Sequence, residues 1–317
     1  DYLMMLLINS TVADVCMKES VSHNTLTKMI DSYIGSETDW KSIKKIDLLG
    51  IDEISLKKGD QDYMSIITSR SKACKNKILG VVKGKDKKDI KAFLTMIPNR
   101  LKNNISGICT DMYNGYVNAA KEVFGYKCTV IIDRFHVAKL YRKSLTSLRK
   151  KELKRLQKSL PEKKYKSLNE AIKILCRNSE FVTKEEQKKL DKLFRYSPLL
   201  KLAYRYCRKL TSIYNCKVGT KAATRKINKW IEAVEFGELK CYNTFIGTLK
   251  KYKKEIINSF KRRETSGFVE GLNNKIKVIK RRCYGIFDKK SLLQRLFRDL
   301  EGDAIFRGNK HLAVSSK

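Results

Sequence analysis

Asp52 is an acid in the middle of an apolar run. Asp47–Leu56 reads DLLGIDEISL, and Leu48, Leu49, Ile51, Ile54 and Leu56 give it the character of a buried strand. Glu53 follows directly. Successive strand side chains point to opposite faces, so the two acids cannot both look at the core. A carboxylate in a central strand loses hydration and costs stability unless it is paired, protonated or bound to a metal. The bland alternative is an edge strand with two solvated acids. Two further carboxylates stand where chemistry could use them. Asp111 ends the β-rich run Ile105–Thr110, and sites in open α/β sheets gather beyond the carboxyl ends of strands. Glu270 falls near the start of a helix expected from Gly267, where the helix dipole favours the ionised form. Together Asp52, Asp111 and Glu270 could form a metal site. Hard divalent ions such as Mg²⁺ take oxygen ligands, commonly one or two carboxylates with water and substrate phosphate. Two such ions can clamp the attacking and leaving oxygens of an in-line phosphoryl displacement. Spacing alone does not make this specific, because any chain of this length has acids near strand ends.

The elements that would position these acids can be read in outline. Three β-rich runs, Asp47–Leu56, Tyr63–Thr68 and Lys77–Lys83, precede a helix over Asp86–Ile97 that Pro98 stops. The polar stretch Lys72–Asn76 reads as a turn. A fourth strand, Ile105–Thr110, leads into Asp111, a helix follows over Tyr116–Phe124, and a fifth strand, Cys128–Ile132, leads into Asp133. The order β-β-β-α-β-α-β implies an α/β fold with a mixed sheet and helices on its faces. Residues 137–262 show no strand pattern and alternate Lys and Arg with Leu, Tyr and Ile, as in a basic all-helical region. Near residue 266 a sharp pattern returns. Ser266 is the expected cap, and Phe268, Leu272, Ile276, Ile279 and Cys283 share one helical stripe. Glu270, Asn274, Lys277 and Arg281 fall nearly opposite. If the stripe packs on the sheet, Glu270 points away from Asp52. Either the helix then lies along the rim, or the helical region covers the stripe and Glu270 faces the sheet.

Residues 1–35 read as short helices, Thr11–Met17 and Ser22–Ile34, joined by a turn at residues 20–22, with Ser22 as a cap. Helix, tight turn and helix is the helix-turn-helix pattern, although helical hairpins are common. In that reading His23, Asn24, Thr25 and Lys28 lie at the exposed start of a recognition helix.

Composition narrows the partners. The chain has 317 residues, enough for about two domains or one domain with a large insertion. Its 69 Lys and Arg against 33 Asp and Glu give a formal net charge of +36. Such an excess repels itself in a compact fold, which points to a polyanion, above all nucleic acid, rather than to a merely solvated Lys-rich surface. The nine cysteines form no CxxC pair and read as free thiols in a reducing compartment. No apolar run reaches the ~20 residues of a membrane span. The opening DYLMMLLI is too short for a span and lacks the basic flank of a signal peptide. Because the first residue is Asp, the chain is expected to derive from a longer protein.

Four motifs carry a resemblance. GIDEISL at 50–56, TDMYNGY at 110–116, IDRFHVAKL at 132–140 and SGFVEGLNNKIKVIKRRCYG at 266–285 together resemble the transposases of the ISL3 insertion-sequence family, over roughly residues 45–300. The resemblance implies a DDE catalytic domain of the ribonuclease-H-like type, with a helical insertion before the last acid. It implies Asp52, Asp111 and Glu270 as catalytic metal ligands, Mg²⁺ or Mn²⁺ as a pair of ions, and double-stranded DNA as substrate at transposon ends and target. Asp133, with His136, stands as an accessory candidate or as the alternative second acid. Arg134, Asn273, Asn274, Lys275, Lys277, Lys280, Arg281 and Arg282 stand as DNA contacts beside such a site. Glu53 is expected to face away and to pair with a basic residue.

The organisation expected is a partial helix-turn-helix segment over 1–44, a catalytic core over 45–139, a basic helical insertion over 140–262, and final helices over 263–317. A homo-oligomer on DNA, in a prokaryotic cytoplasm at the nucleoid and away from membranes, follows from the same resemblance. The family usually carries a zinc ribbon with paired cysteines ahead of its helix-turn-helix, and no such pairs occur here. The activity implied is metal-dependent DNA cleavage followed by strand transfer. A metal nuclease without strand transfer, such as a junction resolvase, and a non-catalytic DNA-binding remnant are the other readings.

Overall fold

A computed structural model describes residues 1–35, 37–55, 63–71, 76–177, 182–261, 264–282 and 288–313; within residues 264–270 and toward the end of the last helix it describes the backbone alone. The chain divides into two units, Asp1–Ile131 with Glu264–Lys317, and Ile132–Arg263.

The first unit begins with helices α1 (Tyr2–Leu6), α2 (Val12–Glu19) and α3 (His23–Tyr33). Both caps are local chemistry. Thr11 and Asp14 form a reciprocal capping box on α2, and the Ser22 hydroxyl accepts from the Thr25 N–H at the start of α3. Ser20, at φ 52°, makes the left-handed turn between the two helices. Met4, Leu7, Val15, Leu26, Ile30 and Ile34 form a small core, closed by Phe306 from the last helix.

A five-stranded mixed sheet follows: β1 (Leu48–Ser55), β2 (Tyr63–Arg70), β3 (Asn76–Lys83), β4 (Gly107–Thr110) and β5 (Thr129–Ile132), in the order β3-β2-β1-β4-β5. β1 runs antiparallel to β2 and parallel to β4. Helices α4 (Lys87–Met96), α5 (Asn99–Lys102) and α6 (Asn114–Phe124) supply the crossovers. The polar stretch expected as a turn at 72–76 lies outside the described residues, apart from Asn76, which opens β3.

Alternation along the strands sorts the two faces of the sheet. Asp52 pairs with Ile66, and Ile66 with Val81, so these side chains share a face. That face is covered by α15 (Glu264–Arg282) and α16 (Lys289–Ala313), whose Leu272, Ile276, Ile279, Leu292, Leu293 and Leu296 bury with Ile54, Met64, Ile66, Ile78 and Val81. On the other face Glu53 pairs with Ser65, and the Ser65 hydroxyl meets the Tyr116 hydroxyl of α6 at 2.7 Å. Phe93 of α4 lies over Gly80 there. A Cβ at Gly80 would stand 2.5 Å from its ring, so only glycine admits this packing.

Leu272, Ile276 and Ile279 of the apolar stripe of α15 therefore pack on the sheet, which leaves a course along the rim as the way α15 would bring Glu270 to Asp52. The helix also starts earlier than the sequence suggests. It opens at Glu264, so Ser266 lies inside it and is not its cap. Glu270 is then well past the first turn, beyond the short reach of the helix dipole.

The second unit holds α7 (Arg134–Ser159), α8 (Glu162–Lys166), α9 (Asn169–Cys176), α10 (Lys184–Tyr196), α11 (Pro198–Asn215), α12 (Thr220–Phe236), α13 (Asn243–Lys251) and α14 (Lys253–Lys261). Trp230 is fully buried, with Tyr242 and Phe245 edge-on to its ring, and donates to the Tyr206 carbonyl at 2.9 Å. Residues 132–263 hold 37 Lys and Arg against 12 Asp and Glu, so +25 of the chain's net +36 resides in this unit. Among the described residues no helix is long and apolar enough to cross a membrane.

Candidate active site

The register of β1 and β4 creates the site. Ile51 stands opposite Thr110, where β4 ends, while β1 continues through Asp52 to Ser55. Asp52 and Asp111 are each the next residue along parallel neighbours, so they flank one another at the end of β4. Asp52 is only 7% exposed, and its Oδ1 accepts from the Glu53 N–H at 2.9 Å. Asp111 is half-buried, and its Oδ1 accepts from the Tyr113 N–H at 3.1 Å. Burial pushes the Asp111 carboxyl up to about 7, and the negative charges of Asp52 and then Glu53 add to that. The Tyr113 N–H and the Lys85 ammonium act in the opposite direction without cancelling it. These are two oxygen-donor acids in mutual repulsion, which Lys85 offsets only in part. That donor chemistry fits a hard divalent cation, which would relieve the repulsion. Among the described residues no group of three or more His, Cys, Asp or Glu side chains gathers as a metal cage.

Glu53 occupies the opposite face, as alternation requires. Its carboxylate lies 3.5 Å from the Lys85 ammonium. Lys85 is also 4.1 Å from the centroid of the Tyr63 ring and 5.3 Å from that of Tyr113. Sequence reasoning missed Lys85, Tyr63 and Tyr113 as neighbours of the acids. The Gly84-Lys85 step after β3 was the available signal. Gly84 takes φ +76° and donates to the Tyr63 carbonyl at 2.7 Å, folding the end of β3 back toward β2.

Glu270 lies in α15, a helix that packs against β1 and β4; its side chain is outside the described residues, as are those of Asn273 and Lys280. Of the face assigned to it by helical projection, Asn274, Lys277 and Arg281 are exposed, and so are Lys275 and Arg282.

Asp133 and His136 open the second unit. Asp133 is buried and caps α7, its Oδ1 accepting from the Phe135 N–H at 2.9 Å, and His136 is half-buried. Arg134 is half-buried too. It donates to Asn215 Oδ1 at 3.1 Å and lies over the Tyr214 ring at 5.9 Å. At the far end of the first unit, His23, Asn24, Thr25 and Lys28 are exposed at the start of α3. The helices α1–α3 contain Lys18 and Lys28 against Asp14, Glu19 and Asp31, so the basic excess of the chain does not reside in them.

Comparison with known proteins gives the chain its relatives. A relative, the transposase for insertion sequence element IS1001 of Bordetella parapertussis, is 26% identical over 269 residues, which cover 84% of this chain and 64% of the relative. The chain thus spans somewhat under two thirds of that relative's length. The family model of DDE transposases of the ISL3 type matches residues 49–296, a span that runs from β1 through α15 into α16. On that match the chain belongs to the ISL3 family of transposases.

Proposed function

We propose that this chain is a DDE transposase that cuts DNA at insertion-sequence ends and transfers the freed strand to target DNA, on a ribonuclease-H-like core interrupted by a basic helical insertion. The observation that carries the reading is the adjacency of Asp52 and Asp111, each the next residue after the last β1–β4 pair, with the Asp111 carboxyl raised by burial and then by its acidic neighbours. Asp52 and Asp111 would hold Mg²⁺ or Mn²⁺, with Glu270 completing the set. When bound, such ions supply charge neutralisation and polarisation at the reacting phosphate. Asp111 must be ionised to serve, so a neighbouring cation or a pH near 7 and above is part of the working state. The carboxylates orient the reacting groups at a rigid strand end.

Asp133 and His136 would act from the edge of the site. The 37 cations of the second unit would hold the phosphate backbone, joined by Arg134 and by Asn273, Asn274, Lys277, Lys280, Arg281 and Arg282. Helices α2 and α3 would serve as the helix-turn-helix, with His23, Thr25 and Lys28 at the DNA. Residues 1–44, 45–139, 140–262 and 263–317 would be the working segments, and the chain would act as an oligomer on DNA in the bacterial cytoplasm.

The test is Asp52→Asn. Divalent-dependent cleavage of supercoiled plasmid should disappear while duplex binding, measured by anisotropy, persists. Unchanged cleavage in that variant overturns the assignment. Cleavage without joining of pre-cut ends would mark a metal nuclease rather than a transposase. Equal, metal-independent behaviour of wild type and variant would mark a DNA-binding remnant.

A further inference from the structure

We propose that Lys85 is a phosphate-contact residue of this site, parked on Glu53 until DNA arrives; this rests on the transposase reading above. Lys85 follows the turn at Gly84, which is pinned twice. The Gly84 N–H donates to the Tyr63 carbonyl at 2.7 Å, and the Ser65 hydroxyl donates to the Gly84 carbonyl at 2.7 Å. Its side chain is then guided by two aromatic faces, Tyr63 at 4.1 Å and Tyr113 at 5.3 Å. Tyr113 is itself fixed, with its ring edge-on to Tyr116 at 5.1 Å and its N–H on Asp111. Gly115 keeps this shelf possible, because a Cβ there would collide with the Tyr113 ring. The ammonium ends 3.5 Å from Glu53 in a pair that is about one-third exposed on both sides.

Such a pair contributes little to stability, since exposed ion pairs are worth about 0–1 kcal/mol. The arrangement makes more sense as placement of charge. Tyr113, whose ring centroid lies 5.3 Å from the ammonium, donates its N–H to Asp111 at 3.1 Å. A phosphodiester brought to Asp52 and Asp111 enters the field of Lys85. One carboxylate oxygen of Glu53 holds the lysine in reach of the strand end; the aromatic rings limit where else it can go. Lys85 is marked by its place beside the acids, not by its charge.

The experiment compares the full chain with Lys85→Gln and Lys85→Arg. The first measurement is the salt dependence of binding to a labelled random-sequence duplex. Loss of one phosphate contact should reduce the slope of log affinity against log salt by about 0.9 in Lys85→Gln, and Lys85→Arg should restore it. The second is Mg²⁺-dependent nicking of supercoiled plasmid at saturating DNA. Lys85→Gln should slow it about 100- to 1000-fold, the range expected when one preorganised donor is lost at a reacting centre. The melting temperature should not move, which separates contact from scaffolding. A Lys85→Gln variant with wild-type slope and rate overturns the inference, as does a slowed variant that arginine fails to rescue. If the wild-type chain binds DNA but does not cut it, the functional reading fails and the salt slope alone decides Lys85. Absence of DNA binding by the wild type overturns both.

Discussion

Replacing Asp111 with asparagine should stabilise the metal-free protein at neutral pH and leave its acid stability unchanged. Asparagine keeps the Oδ1 that accepts from the Tyr113 N–H, so the local turn survives. What disappears is a buried negative charge beside Asp52 and Glu53. The Asp111 carboxyl titrates at about 7 in the folded chain against 3.8 for a free aspartate. Below pH ~4 both folded and unfolded chains carry the proton, and Asp111 costs nothing. Between about 4 and 7 the unfolded chain has released it while the folded chain still holds it, so stability falls as pH rises. Above 7 both are ionised and the full cost stands. At ~1.4 kcal/mol for each tenfold change in proton affinity, the ceiling is about 4 kcal/mol; partial exposure of Asp111 brings the expected value to about 2–3 kcal/mol. The assay is urea unfolding in EDTA from pH 4 to 8, read as the difference between variant and wild type, which cancels the titration of every other group. That difference should grow with pH across the window. Saturation with Mg²⁺ at pH 7.5 should raise the wild-type melting temperature and leave the variant's unmoved, because binding to the folded state alone shifts the equilibrium. A difference that stays flat from pH 4 to 8 would refute the electrostatic account of the site.

Other perturbations probe the frame around it. Asp52→Asn should lower the proton affinity of Asp111, seen by NMR as a shift of its carboxyl-carbon titration midpoint to lower pH; an unmoved midpoint would deny that the two acids interact. Ile276→Ala should cost about 2–5 kcal/mol in chemical unfolding, since the side chain is 1% exposed between α15 and the sheet. A loss below ~1 kcal/mol would mean that α15 is not seated on that face. Asp299→Ala should cost about 3–5 kcal/mol, because it takes the carboxylate from two buried guanidinium groups, Arg295 at 2.7 Å and Arg298 at 3.8 Å. Asp299 also accepts from the Asn9 N–H, so hydrogen exchange should quicken in α1 and α2 first.

What was legible in the sequence was local. The apolar run around Asp52, the Ser22 cap and the stripe Leu272–Ile276–Ile279 all declare themselves through side-chain period or capping chemistry, and each appears in the structure. The start of α15 misled for the same reason. Thr265, Ser266 and Gly267 are poor helix residues that read as a cap, yet tertiary packing of the following turns carries the helix back to Glu264. The adjacency of Asp52 and Asp111 depends on which residue of β1 meets which of β4. No local pattern encodes that. Lys85 was hidden by abundance, one cation among many, until the Gly84 turn gave it a position. The global charge also concealed its own distribution, since the helices nearest the N-terminus carry little of it.

Register is therefore the property on which the chemistry of this chain depends. Alternation alone separates Asp52 from Glu53, sending one to the face under α15 and α16 and the other to Lys85. Asp111, just past the end of β4, senses both. A slip of β1 by one residue would exchange the two acids and turn Ile54 out of its core, so burial of Ile54 and Ile66 on one face and Ile51 and Ile67 on the other locks the assignment. The buried aliphatic residues on either side of Asp52 do more than stabilise the sheet. They decide which carboxylate Asp111 meets on the face under α15 and α16, and hence which one would share a cation with it in the proposed site.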